Sequence, residues 1–289
     1  MIQHESRLTV ADNTGAKEIS AKQQSLSKNE KEVELSVCVL ASGSKGNAIF
    51  ISDGVTSLLI DAGFSGVEIE RRLKVRGIKP EDIDAILVSH EHGDHIKGVG
   101  VLARRYDLPV YINEKTLQAA SSQLGSIDNK KIFECGSSFI INKLKIHPFS
   151  ISHDAADTTG FTVKKNKIKV GIATDLGIAT SMVKEHLKGS SLLVLEANHD
   201  PEMLSNGPYP WYLKQRIKGR TGHLSNVDSK KLLKEIKHDQ LGHVILAHLS
   251  GKNNTPDKAL CEVGLSISDC NTKLHVATQE KCGEMINLF

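Results

Sequence analysis

From Val33 onward the chain alternates short apolar runs with clusters of Gly, Ser and Asn. Residues 34–41, 48–52 and 57–61 are apolar or alternating and are separated by turn-forming residues, which predicts a meander of antiparallel strands. Segment 65–76 carries Val67, Ile69 and Leu73 on a helical pattern and closes at Gly77, which predicts a helix. The run 83–89 has the β-rich, unbroken apolar character of a strand inside a sheet. Further strands are predicted at 109–112, 131–135, 144–150, 160–164, 168–174, 191–197, 242–248 and 273–278, with helices near 96–106, 114–122, 178–187, 227–238 and 256–264. About a dozen short strands with helices at intervals predict two sheets packed face to face with helices outside, an α/β sandwich in a single domain over residues 35–289.

Residues 1–34 depart from this pattern. They are rich in Lys, Glu, Gln, Ser and Asn, lack apolar periodicity, and are expected to form a flexible N-terminal arm or leader. Their opening, Met-Ile-Gln-His-Glu-Ser-Arg-Leu-Thr-Val-Ala-Asp-Asn-Thr-Gly-Ala-Lys-Glu-Ile, resembles the start of a ribosomal protein of the L-fourteen family. The likeness stops near residue 20, before the barrel which that family requires, so a fusion leader is the expectation and the segment is set aside from the fold.

Composition narrows the function classes. The five cysteines, Cys38, Cys135, Cys261, Cys270 and Cys282, are scattered and include no Cys-x-x-Cys pair, so neither a disulfide framework nor a structural zinc knot is indicated, and a cytoplasmic setting is expected. No signal-peptide core opens the chain and no apolar run approaches the roughly 20 residues that cross a bilayer, so no membrane association is expected. A net charge of +3 is too small for a general nucleic-acid coat, although local clusters can still build a binding face. Oligomeric state is left open.

The chemistry is concentrated in Ser-His-Glu-His-Gly-Asp-His, residues 89–95, at the end of the predicted 83–89 strand. His90 and His92 are two apart on an extended backbone, so both imidazoles point to one side, and Gly93 lets the chain turn before Asp94 and His95. Two nitrogens on one side and a carboxylate plus imidazole on the other suit two divalent ions about 3.5–4 Å apart. The helical zinc-protease pattern fails, because Asp94 stands four residues after His90. The plain alternative is a solvated polar loop, which three His and one Asp in six residues after an apolar strand argue against.

His-x-His-x-Asp-His resembles the signature of the metallo-β-lactamase superfamily, and further landmarks follow in order: Asp61 before Ala62-Gly63, His153 in Ser-His-Asp-Ala-Ala-Asp, Asp175 in Ala-Thr-Asp-Leu-Gly and His248 in Leu-Ala-His-Leu-Ser. The resemblance implies a four-layer αββα sandwich. It implies that His90, His92 and His153 hold one ion, that Asp94, His95 and His248 hold the other, that Asp175 bridges them, and that Asp61 orients a ligating histidine without touching metal. Taken alone, His248 reads as a polar strand cap, and Asp175 as an acceptor at the start of the 178–187 helix.

Within the superfamily, Leu-Glu-Ala-Asn-His (195–199) and Thr-Gly-His-Leu-Ser (221–225) resemble stretches of the tRNA 3′-end-processing enzymes and ribonuclease J relatives, which implies a proton-handling pair, Glu196 and His223. His223 also reads as a cap for the 227–238 helix. Together with Ser-Gly-Ser-Lys-Gly-Asn (42–47) and Glu-Ala-Asn-His-Asp (196–200), these segments resemble the YycJ/WalJ branch, with Thr158-Thr159 where that branch has Pro-Val. The likeness implies a 5′-to-3′ DNA exonuclease, catalytic residues Asp94, Glu196 and His223, and two divalent ions, zinc or manganese, that activate a hydroxide.

Lys214, Arg216, Lys218 and Arg220 fall at spacing two just before His223, so in an extended segment they would line one side of a nucleic-acid track, with Trp211 and Tyr212 placed to stack on bases. The alternative is a solvated charge run. Three other functions stay open: a small-molecule phosphodiesterase or thioester hydrolase on the same centre, an RNA-processing nuclease, and a nucleic-acid-binding protein with a degenerate centre. A basic groove leading away from the metals would favour a polymeric substrate over a small one.

Overall fold

The computed structural model of the protein describes residues 33–289. Apart from Val33 and Glu34, the expected arm lies outside the described residues. Glu34 belongs to the folded part, since its N–H donates to the carbonyl of Leu288 at 2.8 Å.

Two seven-stranded sheets form the centre. The first takes β1 (Leu35–Ala41), β2 (Ala48–Ser52), β3 (Ser57–Ile60), β4 (Ala85–Leu87), β5 (Val110–Asn113), β6 (Lys130–Phe133) and β14 (Ile286–Leu288), in the order β14-β1-β2-β3-β4-β5-β6. The second takes β7 (Phe139–Ile141), β8 (Leu144–Ser150), β9 (Thr159–Lys165), β10 (Ile168–Ala173), β11 (Leu192–Glu196), β12 (His243–Ala247) and β13 (Lys273–Val276), in the order β13-β12-β11-β10-β9-β8-β7. Each sheet begins as an antiparallel meander and continues as parallel strands: β3 to β6 in the first, β10 to β13 in the second.

Alternation along the strands makes three cores. In β1, Val37 and Val39 face the second sheet and join Ile51, Ile60, Ile146, Val163, Ile172 and Val194, while Cys38 and Leu40 face the other way. The outward side chains meet α1 (Gly66–Val75), α3 (Val99–Tyr106) and α4 (Glu114–Leu124) through Ile69, Leu73, Leu102 and Leu124. On the far side α5 (Ser181–Leu187), α8 (Asn226–Ile236) and α9 (Pro256–Gly264) cover the second sheet through Val183, Leu232 and Val263. The order of layers is helix, sheet, sheet, helix, as expected. Strands covered on both faces read as unbroken apolar runs, because no position in them faces water.

The structure differs from expectation in five places. The 96–106 helix is two pieces, α2 (Gly93–Ile96) and α3, separated at Gly98, where a Cβ would come within 2.4 Å of the Phe64 carbonyl oxygen. β7 and β14 are three residues each, too short to show a period. α6 (Pro201–Asn206) and α7 (Trp211–Lys218) fall where no helix was expected, and α7 buries none of its residues, so it carries no apolar stripe to read. Among the described residues no helix is long and apolar enough to cross a membrane.

Candidate metal centre

Five of the eight parallel strands deliver one group each to the same end of the sandwich, where ligands of open α/β sheets commonly bind. Asp61 follows β3, His90 follows β4, Asp175 follows β10, Glu196 ends β11 and His248 follows β12. Asp61, Asp175 and His248 all have left-handed backbones, with φ of 60°, 57° and 56°. Three non-glycine residues in that region at one site mark a chain bent to aim side chains. The 61–64 turn packs so closely on the histidine motif that a Cβ at Gly63 would lie 1.7 Å from the Asp94 carbonyl oxygen. Gly93 plays a different part from the one expected, for it opens α2 with helical backbone and a Cβ there would meet nothing closer than 3.8 Å.

Four histidines are tethered through Nδ1. His95 Nδ1 lies 2.7 Å from Asp61 Oδ2, His153 Nδ1 lies 3.1 Å from the Gly222 carbonyl, and His248 Nδ1 lies 2.9 Å from Glu196 Oε1. These partners can only accept, so the proton sits on Nδ1 and Nε2 is left to face inward. His90 Nδ1 is 3.0 Å from the Ser89 hydroxyl, which also bonds Asp61. The inward atoms fall into two triads: His90 with His92 and His153, and Asp94 with His95 and His248, each within 4.8 Å. Asp175 lies between them, with Oδ2 3.2 Å from His95 Nε2 and Oδ1 3.9 Å from His153 Nε2.

Three observations test whether metal ions fit. His90 Nε2 and His92 Nδ1 are 3.2 Å apart, close to the ~3.3 Å edge of a tetrahedron with zinc–nitrogen bonds of about 2.0–2.1 Å. Asp175 Oδ2 and His248 Nε2 are buried and make no well-aligned hydrogen bond, their nearest opposite charges being His95 Nε2 at 3.2 Å and Asp94 Oδ2 at 3.6 Å, a loose arrangement that a cation between them would complete. The charges also match. Burial resists charging His95, but Asp175 and Asp61 outweigh it and hold the ring well above its ordinary pKa. Burial is likewise overcome at His248, which Asp175, Asp94 and Glu196 raise to about 10. His90 and His153, in contrast, are lowered by burial and stay neutral. The second triad therefore holds protons where carboxylate charge calls for cations, and the first is ready to ligate. The residues fit divalent metal ions.

Glu196 and His223 are in contact. Nδ1 of His223 lies 2.8 Å from Glu196 Oε1, and the ring sits 5.0 Å from His153 and 5.1 Å from His248, centroid to centroid. Glu196 is fully buried and its Oε2 accepts from Leu176 N and Leu224 N, so both oxygens are occupied and neither is available to a metal. Burial would raise this carboxyl, but His223 and His248 hold it down to about 2. Neither capping alternative fits: Ser225 caps α8 and Thr180 caps α5.

The basic track is arranged differently from expectation. Residues 214–218 are helical, and at 100° per residue side chains two apart point to nearly opposite sides. Lys214 and Lys218 both reach back to Ser205, at 2.8 and 2.9 Å, whereas Arg216 pairs with Asp154 beside His153. Trp211 and Tyr212 are 73% and 74% exposed.

Three site residues escaped the reading of the sequence. Asn47 places Nδ2 3.0 Å from His95 Nε2 while its Oδ1 accepts from Gly43 N. Ser42 accepts the His248 N–H at 2.6 Å, and Ser89 links Asp61 to the His90 ring. The 42–47 landmark pointed at the first two. From the Ser42 side a hollow of 530 Å³ opens, lined by Lys45, Tyr209 and Lys252 among others.

Residues 56–249 match the model of the Beta-lactamase superfamily domain. The chain is similar to the Bacillus anthracis protein "Exodeoxyribonuclease YycJ", 42% identical over 227 residues that make up 78% of this chain and 86% of that protein. It is 40% identical over 232 residues to "Exodeoxyribonuclease WalJ" of Streptococcus pneumoniae, covering 79% of this chain and 86% of that one. Among solved structures, the metallo-beta-lactamase fold protein YhfI of Bacillus subtilis superposes with a TM-score of 0.68 at 18% identity, over 88% of this chain and 99% of that one. The ribosomal likeness of residues 1–19 gains no support from these matches.

Proposed function

The chain belongs to the metallo-β-lactamase superfamily, and from that premise we propose that it is a two-metal phosphodiesterase, a 5′-to-3′ DNA exonuclease. The observation that carries the reading is the position of His223, held by the buried Glu196 carboxylate beside both ligand triads. A nucleotide alkoxide is a poor leaving group that gains from a proton donor beside it, and a side chain held in this position supplies one. The names of the two bacterial relatives point to the same substrate.

His90, His92 and His153 would hold one ion, Asp94, His95 and His248 the other, with Asp175 between them. When bound, zinc or manganese ions would supply positive charge to a phosphate oxygen and acidify the attacking water. The remaining work falls to the chain. Asp61 fixes the His95 ring, Gly222 fixes His153, and Glu196 fixes His248 and His223 together. With Nδ1 committed to Glu196, His223 acts through Nε2, donating a proton to the leaving oxygen or a hydrogen bond to the charged phosphorus centre. Lys45 and Lys252 in the adjoining hollow offer charge to a strand leaving the site, as do Arg216, Lys214, Lys218 and Arg220 near α7, with Trp211 and Tyr212 placed for base stacking. The proposed setting is the cytoplasm, in keeping with five free cysteines.

The test is incubation of the metal-loaded protein with single- and double-stranded DNA and RNA labelled at either end. Release of nucleotides from 5′ DNA ends is expected. Preference for RNA, release from 3′ ends, or turnover of small phosphodiesters and thioesters without any attack on DNA would each replace the proposal.

A further inference from the structure

Far along the chain from the centre's ligands, two cysteines 244 residues apart in sequence meet with sulfurs 3.9 Å from each other. Cys38 lies on β1 with its side chain turned into the outer core, and it is fully buried. Cys282 lies in the segment between β13 and β14, is partly exposed, and borders a hollow of 340 Å³ that also reaches Lys281, Glu284 and Met285. Gly283 N donates to the Val39 carbonyl at 2.9 Å and Cys38 Sγ donates to the Gly283 carbonyl at 3.1 Å, so the segment is held against β1. Arg76, at the end of α1, places Nε 3.4 Å from Cys282 Sγ and Nη2 2.8 Å from the Cys282 carbonyl. A guanidinium aimed at a sulfur is an arrangement that stabilises thiolate.

From this geometry we infer that Cys38 and Cys282 form a reversible disulfide on exposure to hydrogen peroxide, with Cys282 the attacking sulfur and Cys38 the resolving one. The two sulfurs are unequal in the required direction. Hydrogen bonding from Cys38, and then Arg76, lowers the Cys282 thiol to about 6 against the opposing effect of burial, while the Cys282 sulfur and burial push Cys38 well up. The hollow gives a small oxidant access to Cys282 and not to Cys38.

In the first step the Cys282 thiolate attacks one peroxide oxygen. An S–O bond forms, the O–O bond breaks, and the leaving hydroxide takes a proton to become water. Cys282 is thereby oxidised by two electrons to a sulfenic acid, and the peroxide is reduced. In the second step the Cys38 sulfur attacks Cys282 Sγ. An S–S bond forms, the S–O bond breaks, and the departing hydroxyl leaves as water with the proton of Cys38. The sulfurs must close from 3.9 Å to about 2.05 Å. That movement falls on the partly exposed segment around Gly283, because β1 is paired on both sides.

The test uses the reduced full-length chain, treated with hydrogen peroxide, alkylated with N-ethylmaleimide and weighed intact under denaturing conditions. Two fewer alkyl groups than the five cysteines allow are expected, with a peptide linking Cys38 to Cys282 that dithiothreitol separates. Full alkylation, or a link between other cysteines, would overturn the assignment. Cys38→Ala should leave a sulfenic acid that dimedone captures at Cys282, and capture instead at the exposed Cys261 would overturn the role given to Cys282. Arg76→Gln should move the pH profile of Cys282 alkylation to higher pH, because the guanidinium that favours its thiolate is lost. An unshifted profile would remove Arg76 from the account.

Discussion

Oε1 of Glu196 lies 2.8 Å from Nδ1 of His223, and the carboxylate that makes this contact is fully buried. Glu196 cannot touch a polymeric substrate, so it acts by placing the His223 ring and keeping the proton on Nδ1. His223 is 21% exposed and is the member of the pair that can reach a substrate.

His223→Ala is expected to lower kcat by ~10²-fold or more on DNA with both ions retained, because stabilisation of the transition state is lost while the metal centre survives. A p-nitrophenyl phosphodiester, whose leaving group needs no proton, should be less affected. Parallel steady-state kinetics and elemental analysis check this. Equal losses on both substrates would indicate phosphate binding in place of proton donation.

Asp94→Ala should reduce the metal content of the loaded protein from two ions toward one, since it removes the carboxylate of the triad it shares with His95 and His248. Elemental analysis of wild type and variant settles the point. A wild type that saturates at one ion would defeat the two-metal reading.

Gly63 and Gly93 lie close to the same motif and should respond in opposite ways. A Cβ at Gly63 would stand 1.7 Å from the Asp94 carbonyl oxygen, so Gly63→Ala must displace either the 61–64 turn or the motif, and both melting temperature and metal affinity should drop. Gly93→Ala has space and a helical backbone, and is expected to leave stability unchanged or slightly raised. Thermal melts of the two variants check this, and a tolerated Gly63→Ala would contradict the packing described.

Metal removal should expose a pH dependence at His248. Burial opposes its charge, but Asp175, Asp94 and Glu196 raise it to about 10 from 6.5. A raised value contributes stability that is complete below pH 6.5 and is lost as the pH climbs through 10. The stability of the metal-free wild type relative to metal-free His248→Gln should therefore fall over that window, a difference that cancels other titrations such as that of Cys282. Denaturant unfolding at several pH values measures it, and a constant difference would refute it.

The sandwich and the His90–His95 cluster were legible because both rest on short-range patterns, whereas His153, Asp175 and His248 stood out only through the family resemblance. Apolar runs bounded by turn residues mark strands, and three His and one Asp in six residues after a strand are hard to explain otherwise. The break at Gly98 was not legible, because its N–H donates to the Ala62 carbonyl and the Phe64 carbonyl leaves no room for a Cβ, both contacts with residues distant in sequence. α7 was missed because it rests on no core, so the two-residue spacing of Lys214, Arg216 and Lys218 suggested a straight track where a helix splits them. Asn47 and Ser42 were visible only as part of a landmark, since their contacts with His95 and His248 join residues far apart in the chain.

The ligands come from two separately built sheets: His90, His92, Asp94 and His95 follow the first, while His153, Asp175 and His248 follow the second. Ions bound across that seam would resist its opening, by ~2.7 kcal/mol for each site at a free-ion concentration a hundred times its dissociation constant. Metal supply would then govern how long the folded chain survives proteolysis as well as how fast it turns over. In a ribosome-bound nascent chain the site of Asp94, His95 and His248 could not be completed until β12 had emerged, so filling of that site would report that synthesis of the domain was nearly complete.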